Sequence, residues 1–93
     1  MMWMLCAGSQ GRAIVIGEVD SDPVVGQPVR LRDARMVLYW STACGGLLGL
    51  AGRGPREGAR ITAPVPEVIE STWQTAIRLS AEAAAAVRSW PEC

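Results

Sequence analysis

The chain predicts an α+β domain, a small and mainly antiparallel sheet of four or five strands with two short helices. Three observations carry that class. Short runs rich in Val and Ile are punctuated by Gly and Pro. One longer run, residues 29–40, alternates apolar and polar side chains. An alanine-rich segment near the end is bounded by Ser80 on one side and Trp90-Pro91 on the other, the punctuation of a helix.

The elements follow in order. Residues 2–7 are apolar and read as a first strand, with Gly8-Ser9-Gln10-Gly11 as the turn that ends it. Arg12 to Asp20 reads as a second strand on the bulk of Ile14, Val15, Ile16 and Val19. Ser21-Asp22-Pro23 and Gly26-Gln27-Pro28 bracket a turn region. Val29 to Trp40 is the strongest strand.

Its apolar phase changes partway. Val29 and Leu31 alternate with Arg30 and Arg32, yet from Ala34 the apolar positions are even: Ala34, Met36, Leu38 and Trp40. A one-residue slip sends every side chain to the opposite face. One extra residue at Asp33-Ala34, a β-bulge, restores the register and puts Arg30, Arg32, Arg35, Val37 and Tyr39 on one face.

Ser41-Thr42 can cap a short helix over 43–51, weakened by Gly45, Gly46 and Gly49. Residues 52–58 form a Gly-rich loop. Arg60 to Val65 is extended, and Pro64 and Pro66 confine it to a sheet edge. Ile69 to Leu79 reads as a further strand. Ser80 then caps a helix over 81–89 with Glu82 in its first turn, and Trp90-Pro91 stops it.

Composition bounds what such a domain can do. Its 93 residues make a single domain, 1–93. A 49% hydrophobic chain with no net charge is not intrinsically disordered. The longest uncharged apolar run, residues 43–52, is far below the ~20 residues that span a bilayer, so no membrane partner is expected. His, Lys and Asn are absent. Without His there is no Ser-His-Asp triad and no His-bearing zinc site; without Lys there is no P-loop and no Schiff base. The Gly-rich run 45–54 does not present G-x-G-x-x-G in order. Glu67 and Glu70 point to opposite faces of an extended segment, so a paired-carboxylate enzyme is not indicated. No metal site, no cofactor and no catalytic residue is expected. Cys6, Cys44 and Cys93 are odd in number and widely spaced, the pattern of free thiols in a reducing cytoplasm. Only Cys44, just before the short helix, is placed for activation.

The order of these signals from Gly17 to about Val87 resembles a family of small phage and prophage proteins of unknown function. The resemblance rests on Val29-Arg30-Leu31-Arg32-Asp33-Ala34-Arg35 leading into Tyr39-Trp40, on a Leu-Leu-x-Leu-Ala-Gly element at 47–52, on Pro-Val-Pro-Glu-Val at 64–68, and on Ile77-x-Leu before an Ala-rich helix. The chain departs from that pattern at Gly8, where the family carries an arginine, at Met36, where a second Arg follows Asp-Ala-Arg, and at Ala59-Arg60, where a cysteine often stands. The resemblance implies a compact α+β domain in a phage or prophage setting, and no reaction.

Charge supplies the candidate site. Residues 30–60 hold six arginines against two acids, a net +4, and the rest holds three arginines against seven acids, a net −4. Arg30, Arg32 and Arg35 in a row, with Tyr39 at the end, offer forked donors and one ring to a phosphate-bearing planar ligand. The same arginines can instead pair with acidic groups of a neighbouring subunit, such as Glu67 or Glu70. Zero net charge argues against nucleic acid. The function expected is that of a non-catalytic phage-type accessory protein, cytoplasmic in the host cell, acting as a homo-oligomeric interaction module. The alternatives are a binder of an anionic small molecule, such as a nucleotide, at a subunit interface, and a minor virion component.

Overall fold

The computed structural model describes residues 1–8, 13–40 and 42–93. In chain order the elements are β1 (Met2–Ala7), β2 (Ala13–Glu18), β3 (Val29–Tyr39), a 3-10 turn (Thr42–Cys44), α1 (Gly46–Arg53), β4 (Arg60–Ile61), β5 (Val65–Glu70), β6 (Thr75–Arg78) and α2 (Ala81–Ser89). All strand pairings are antiparallel in the order β4-β3-β2-β1-β6. β5 also pairs with β3, alongside its N-terminal half, while β4 takes the C-terminal half. The class is α+β, with six strands where four or five were expected.

Residues 71–74 join β5 to β6, at opposite ends of the sheet. A flat sheet would hold those strands ~19 Å apart, four interstrand steps, so this short link goes with a curled sheet. Both faces are buried. One packs Met4, Cys6, Ile14, Ile16, Val37 and Ile61 against Leu50 and Ala51 of α1 and Ala83 and Val87 of α2. The other gathers Leu5, Val15, Val19, Val29, Leu31 and Ala34 beneath Trp3, Val68, Trp73 and Ala76. A chain this short therefore divides its apolar residues between two small cores.

The bulge lies where the change of phase puts it. Ile16 faces Arg35 and Glu18 faces Arg32, so Gly17 alone opposes both Asp33 and Ala34. Asp33 has φ 50°, the left-handed region, and is the only non-glycine residue with positive φ among the described residues. Gly17 is needed for contact: a Cβ there would stand 2.8 Å from Leu31 Cβ and 3.1 Å from the Arg32 carbonyl oxygen. The two strands approach too closely at the bulge for any side chain on the facing residue.

Several expectations are corrected. Of the residues expected on one face, Arg30, Arg32 and Tyr39 are exposed, whereas Arg35 and Val37 are buried under the helices. The segment expected as one strand over 69–79 is two, β5 and β6, with a turn between them. The Glu70 carboxylate makes that turn by accepting from Thr72 N at 2.9 Å and Thr72 Oγ1 at 2.7 Å. The β-branched Thr72 and the aromatic Trp73 hide it in the sequence. α1 begins at Gly46 and is not capped from the preceding Ser-Thr pair: its N-cap is Gly45, φ 81°, with no side-chain cap bond. Ser41, the turn at 9–11 and Arg12 lie outside the described residues. α2 is as expected: Ser80 Oγ accepts from Ala83 N at 3.0 Å, Glu82 sits in the first turn and Trp90 is the C-cap. The two helices meet tightly at Gly54, φ 93°, where a Cβ would lie 2.8 Å from Ala86 Cβ.

Gly17→Ala should destabilise the domain by about 1–3 kcal/mol through overpacking at the bulge. The melting temperature should fall by roughly 4 °C or more. Deleting Ala34 removes the register reset and should abolish cooperative melting, since one half of β3 would then present the wrong face. Thermal denaturation followed by circular dichroism checks both.

Candidate functional site

Arg35 is the polar residue at the centre of the fold. It sits at the end of a row across the sheet, Ile77–Met4–Ile16–Arg35, in which the other members are apolar. Its exposure is 6%. A buried guanidinium must find acceptors, and it does: Nε donates to the Thr62 carbonyl at 2.7 Å and Nη1 to the Val87 carbonyl at 2.6 Å. Thr62 lies between β4 and β5 and Val87 in the last turn of α2, so one side chain ties the sheet edge to the helix. The Met36 N–H donates to Thr62 Oγ1 at 2.9 Å, and the Thr62 N–H to the Met36 carbonyl at 2.9 Å, which holds that segment in place.

A cleft of about 300 Å³ opens beside Arg35. Met2, Ile16, Pro64, Val87 and Trp90 give it apolar walls, and Glu18, Asp33, Arg35, Arg88 and Glu92 bring charge to it. Glu18 is engaged twice: Oε2 accepts from the Met1 ammonium at 2.8 Å and Oε1 from Arg88 Nη2 at 2.5 Å. Those two cations, through their hydrogen bonds, hold the Glu18 carboxyl below its ordinary value of 4.5 despite partial burial. Trp90 is anchored by its indole N–H, which donates to the Ala59 carbonyl at 3.1 Å. Asp33, at the bulge, is an exposed residue at the edge of the cleft.

The four residues expected to form an anion site are placed apart. Arg30 Nε lies 3.3 Å from Glu67 Oε2, and Arg32 Nη2 lies 2.5 Å from Asp20 Oδ1. Arg35 is spent on the two carbonyls. Tyr39 lies beyond a second register shift, and with Leu38, Gly58, Arg60 and Cys93 it lines a different, open groove. The chain's own carboxylates and carbonyls therefore hold the guanidinium row. Of the two acids considered as partners from a neighbouring subunit, Glu67 pairs with Arg30 within the same chain and Glu70 serves its turn.

Cys6, Cys44 and Cys93 are free. Burial pushes the Cys6 thiol up. Cys44 is fully buried and its Sγ accepts from the Arg56 N–H at 3.3 Å, a packing role for the cysteine considered for activation. Among the described residues no group of three or more Cys, Asp or Glu is placed to hold a metal, and no helix is long and apolar enough to cross a membrane. Sequence reasoning missed Asp33, Arg88, Trp90 and Glu92 as neighbours. Asp33 figured as part of the bulge, Trp90 as helix punctuation, and Arg88 and Glu92 only among the charges of the acidic remainder; only the fold of α2 back onto β2 and β3 brings them together.

A curled antiparallel sheet with two helices on one face and a mixed-charge cleft at the end of the second helix defines a small α+β domain. The sequence matches the family model of a domain of unknown function, DUF6948, over residues 5–90, and the chain belongs to that family. No curated protein and no solved structure matches it significantly.

Two outcomes follow from this geometry. Arg35→Met removes the guanidinium from the Thr62 carbonyl and leaves the Val87 carbonyl only the Trp90 N–H, and should cost about 2–3 kcal/mol, read as a lower urea midpoint. Because the Glu18 pKa is lowered in the fold, its contribution to stability is complete above 4.5 and is lost as pH falls through the lowered value. Glu18→Gln should therefore be less stable than wild type near neutrality, and the gap between their melting temperatures should narrow on acidification to about pH 3.

Proposed function

We propose that the chain is a non-catalytic accessory module, of the phage or prophage type its sequence resembles, and that it works as a homo-oligomer. The observation that carries this reading is the C-terminal end of β3. Met36, Leu38 and Tyr39 are 41%, 53% and 54% exposed, three large apolar or aromatic side chains close together on one strand. Single exposed apolar residues are ordinary, whereas a cluster points to a contact surface. The groove between Leu38, Tyr39, Gly58, Arg60 and Cys93 extends that surface to the C-terminal tail. A two-fold contact through such a patch would be self-complementary, the commonest way for one chain to assemble.

The driving force would be this patch and not an unfinished core. The accessible surface, 5376 Å², is close to the ~5200 Å² expected of a compact monomer of this mass. The absence of His from the chain leaves no side chain with an ordinary pKa near neutrality for acid–base work, which supports a non-catalytic role. Two buried free thiols suit a reducing host cytoplasm. Capture of an anionic ligand has less support, because Arg30, Arg32 and Arg35 are partnered within the chain.

Sedimentation equilibrium at micromolar concentration should show a species heavier than the 9.9 kDa chain. Leu38→Glu should return it to 9.9 kDa with its melting temperature little changed, since the side chain is exposed in the monomer. A wild type that sediments as a single chain ends the proposal.

A further inference from the structure

We infer that the outer edge of β6 is a second contact between copies of this chain, at which two sheets join across a two-fold axis. The inference rests on the homo-oligomer proposed above and adds a surface to it. The outer edges of the sheet, at β4, β5 and β6, are not treated alike. β4 is covered by the C-terminal tail: the Cys93 N–H donates to the Ile61 carbonyl at 2.9 Å, and Glu92 bridges Ile61. β5 carries Pro66, which has no N–H, with Glu67 and Glu70 on the same strand. Covering an edge, or placing proline and charge on it, guards against strand addition. β6 has no proline, and no strand or tail of the described residues lies along its outer side; β5, which the link 71–74 brings round, pairs only with β3.

The register fixes which groups this edge offers. The Leu79 N–H donates to the Met2 carbonyl at 3.0 Å, and bonding alternates along an antiparallel strand, so Thr75, Ile77 and Leu79 face β1. Ala76 and Arg78 direct their N–H and C=O groups outward, where no described residue bonds them. A second β6, running antiparallel, can pair with both. With Ile77 on the axis, Ala76 of each copy exchanges both backbone bonds with Arg78 of the other. Centring the pair on Arg78 would set two guanidiniums directly opposite, a destabilising arrangement. Centring it on Ala76 would leave Arg78 facing Gln74, whose N–H is already given to the Cys6 carbonyl. The Ile77 register avoids both and places Arg78, the one charge on the strand, beside neutral Ala76.

The contact is small. β6 has four residues, where a stable interface engages about 20–30 a side. It does not hold two chains by itself, and it acts between pairs that the β3 patch has already formed. Joining two such pairs makes the edge contact twice, and the second is gained without a second encounter. Two different two-fold contacts on one chain take the assembly past a pair to a tetramer, the commonest symmetric form after the dimer.

The test follows amide hydrogen exchange by NMR on the full chain, with sedimentation equilibrium beside it. In assembled wild type the Ala76 and Arg78 amides should exchange about tenfold or more slowly than in the single-chain Leu38→Glu, while the Ile77 amide is protected in both. Arg78→Pro, at an exposed side chain whose N–H points outward, should keep the melting temperature and stop at a pair where wild type goes on to the tetramer. An assembled wild type whose Ala76 and Arg78 amides exchange as fast as in Leu38→Glu would overturn the edge contact and leave the β3 patch standing. So would a folded Arg78→Pro with the wild-type mass. A wild type that stays a single chain removes both contacts.

Discussion

The single extra residue at Asp33-Ala34 is the constraint on which the rest of the structure depends. Before it, β3 presents Arg30 and Arg32 beside Asp20 and Glu67, and Val29 and Leu31 face the second core. After it, the same side of the strand carries Arg35 and Val37 beneath the helices. Without the insertion the two halves of an eleven-residue strand would make opposite demands on one sheet. With it, one strand serves both cores. Gly17 accommodates the insertion on β2, so the bulge belongs to a pair of strands and not to one.

Arg35 then closes the fold because of where the bulge puts it. A guanidinium in an apolar row would be costly alone, but its fork reaches two carbonyls that the ladder and helix leave available. The last carbonyls of a helix lack i+4 partners, and that of Val87, in the last turn, accepts both the Trp90 N–H at 3.2 Å and the Arg35 Nη1. Thr62 interrupts the edge between β4 and β5, where the following Pro64 prevents a continuous ladder. One side chain thus answers two irregularities that local propensity creates. The same contact brings α2 to the sheet, and the cleft is the space left between them.

Much of this was legible in the residues, and the parts that were not share a physical reason. The bulge could be read because alternation has a period of two and any break in phase is visible in a single strand. The α2 helix could be read because Ser80, Glu82 and Trp90-Pro91 act within a few residues of the backbone they cap or stop. The turn at 71–74 could not, because the Glu70 carboxylate, not Gly or Pro, makes it. Nor could the burial of Arg35: alternation tells which side chains share a face, and the face that receives the helices is decided by contacts 52 residues apart in sequence, as between Arg35 and Val87. The arginine row was therefore recognised as a row while the role of its last member was inverted, from ligand donor to structural tie.

The placement of charge follows from that inversion. A net +4 over residues 30–60 suggests an anion site only while its arginines are free. In the fold Asp20 and Glu67 come from the acidic remainder to meet Arg32 and Arg30, so the two halves of the charge pattern neutralise one another within one chain. Arg35, the third of the row, keeps its charge in the interior and gives its donors to two carbonyls. A charge tally along a sequence counts groups, whereas recognition depends on those the fold leaves without a partner.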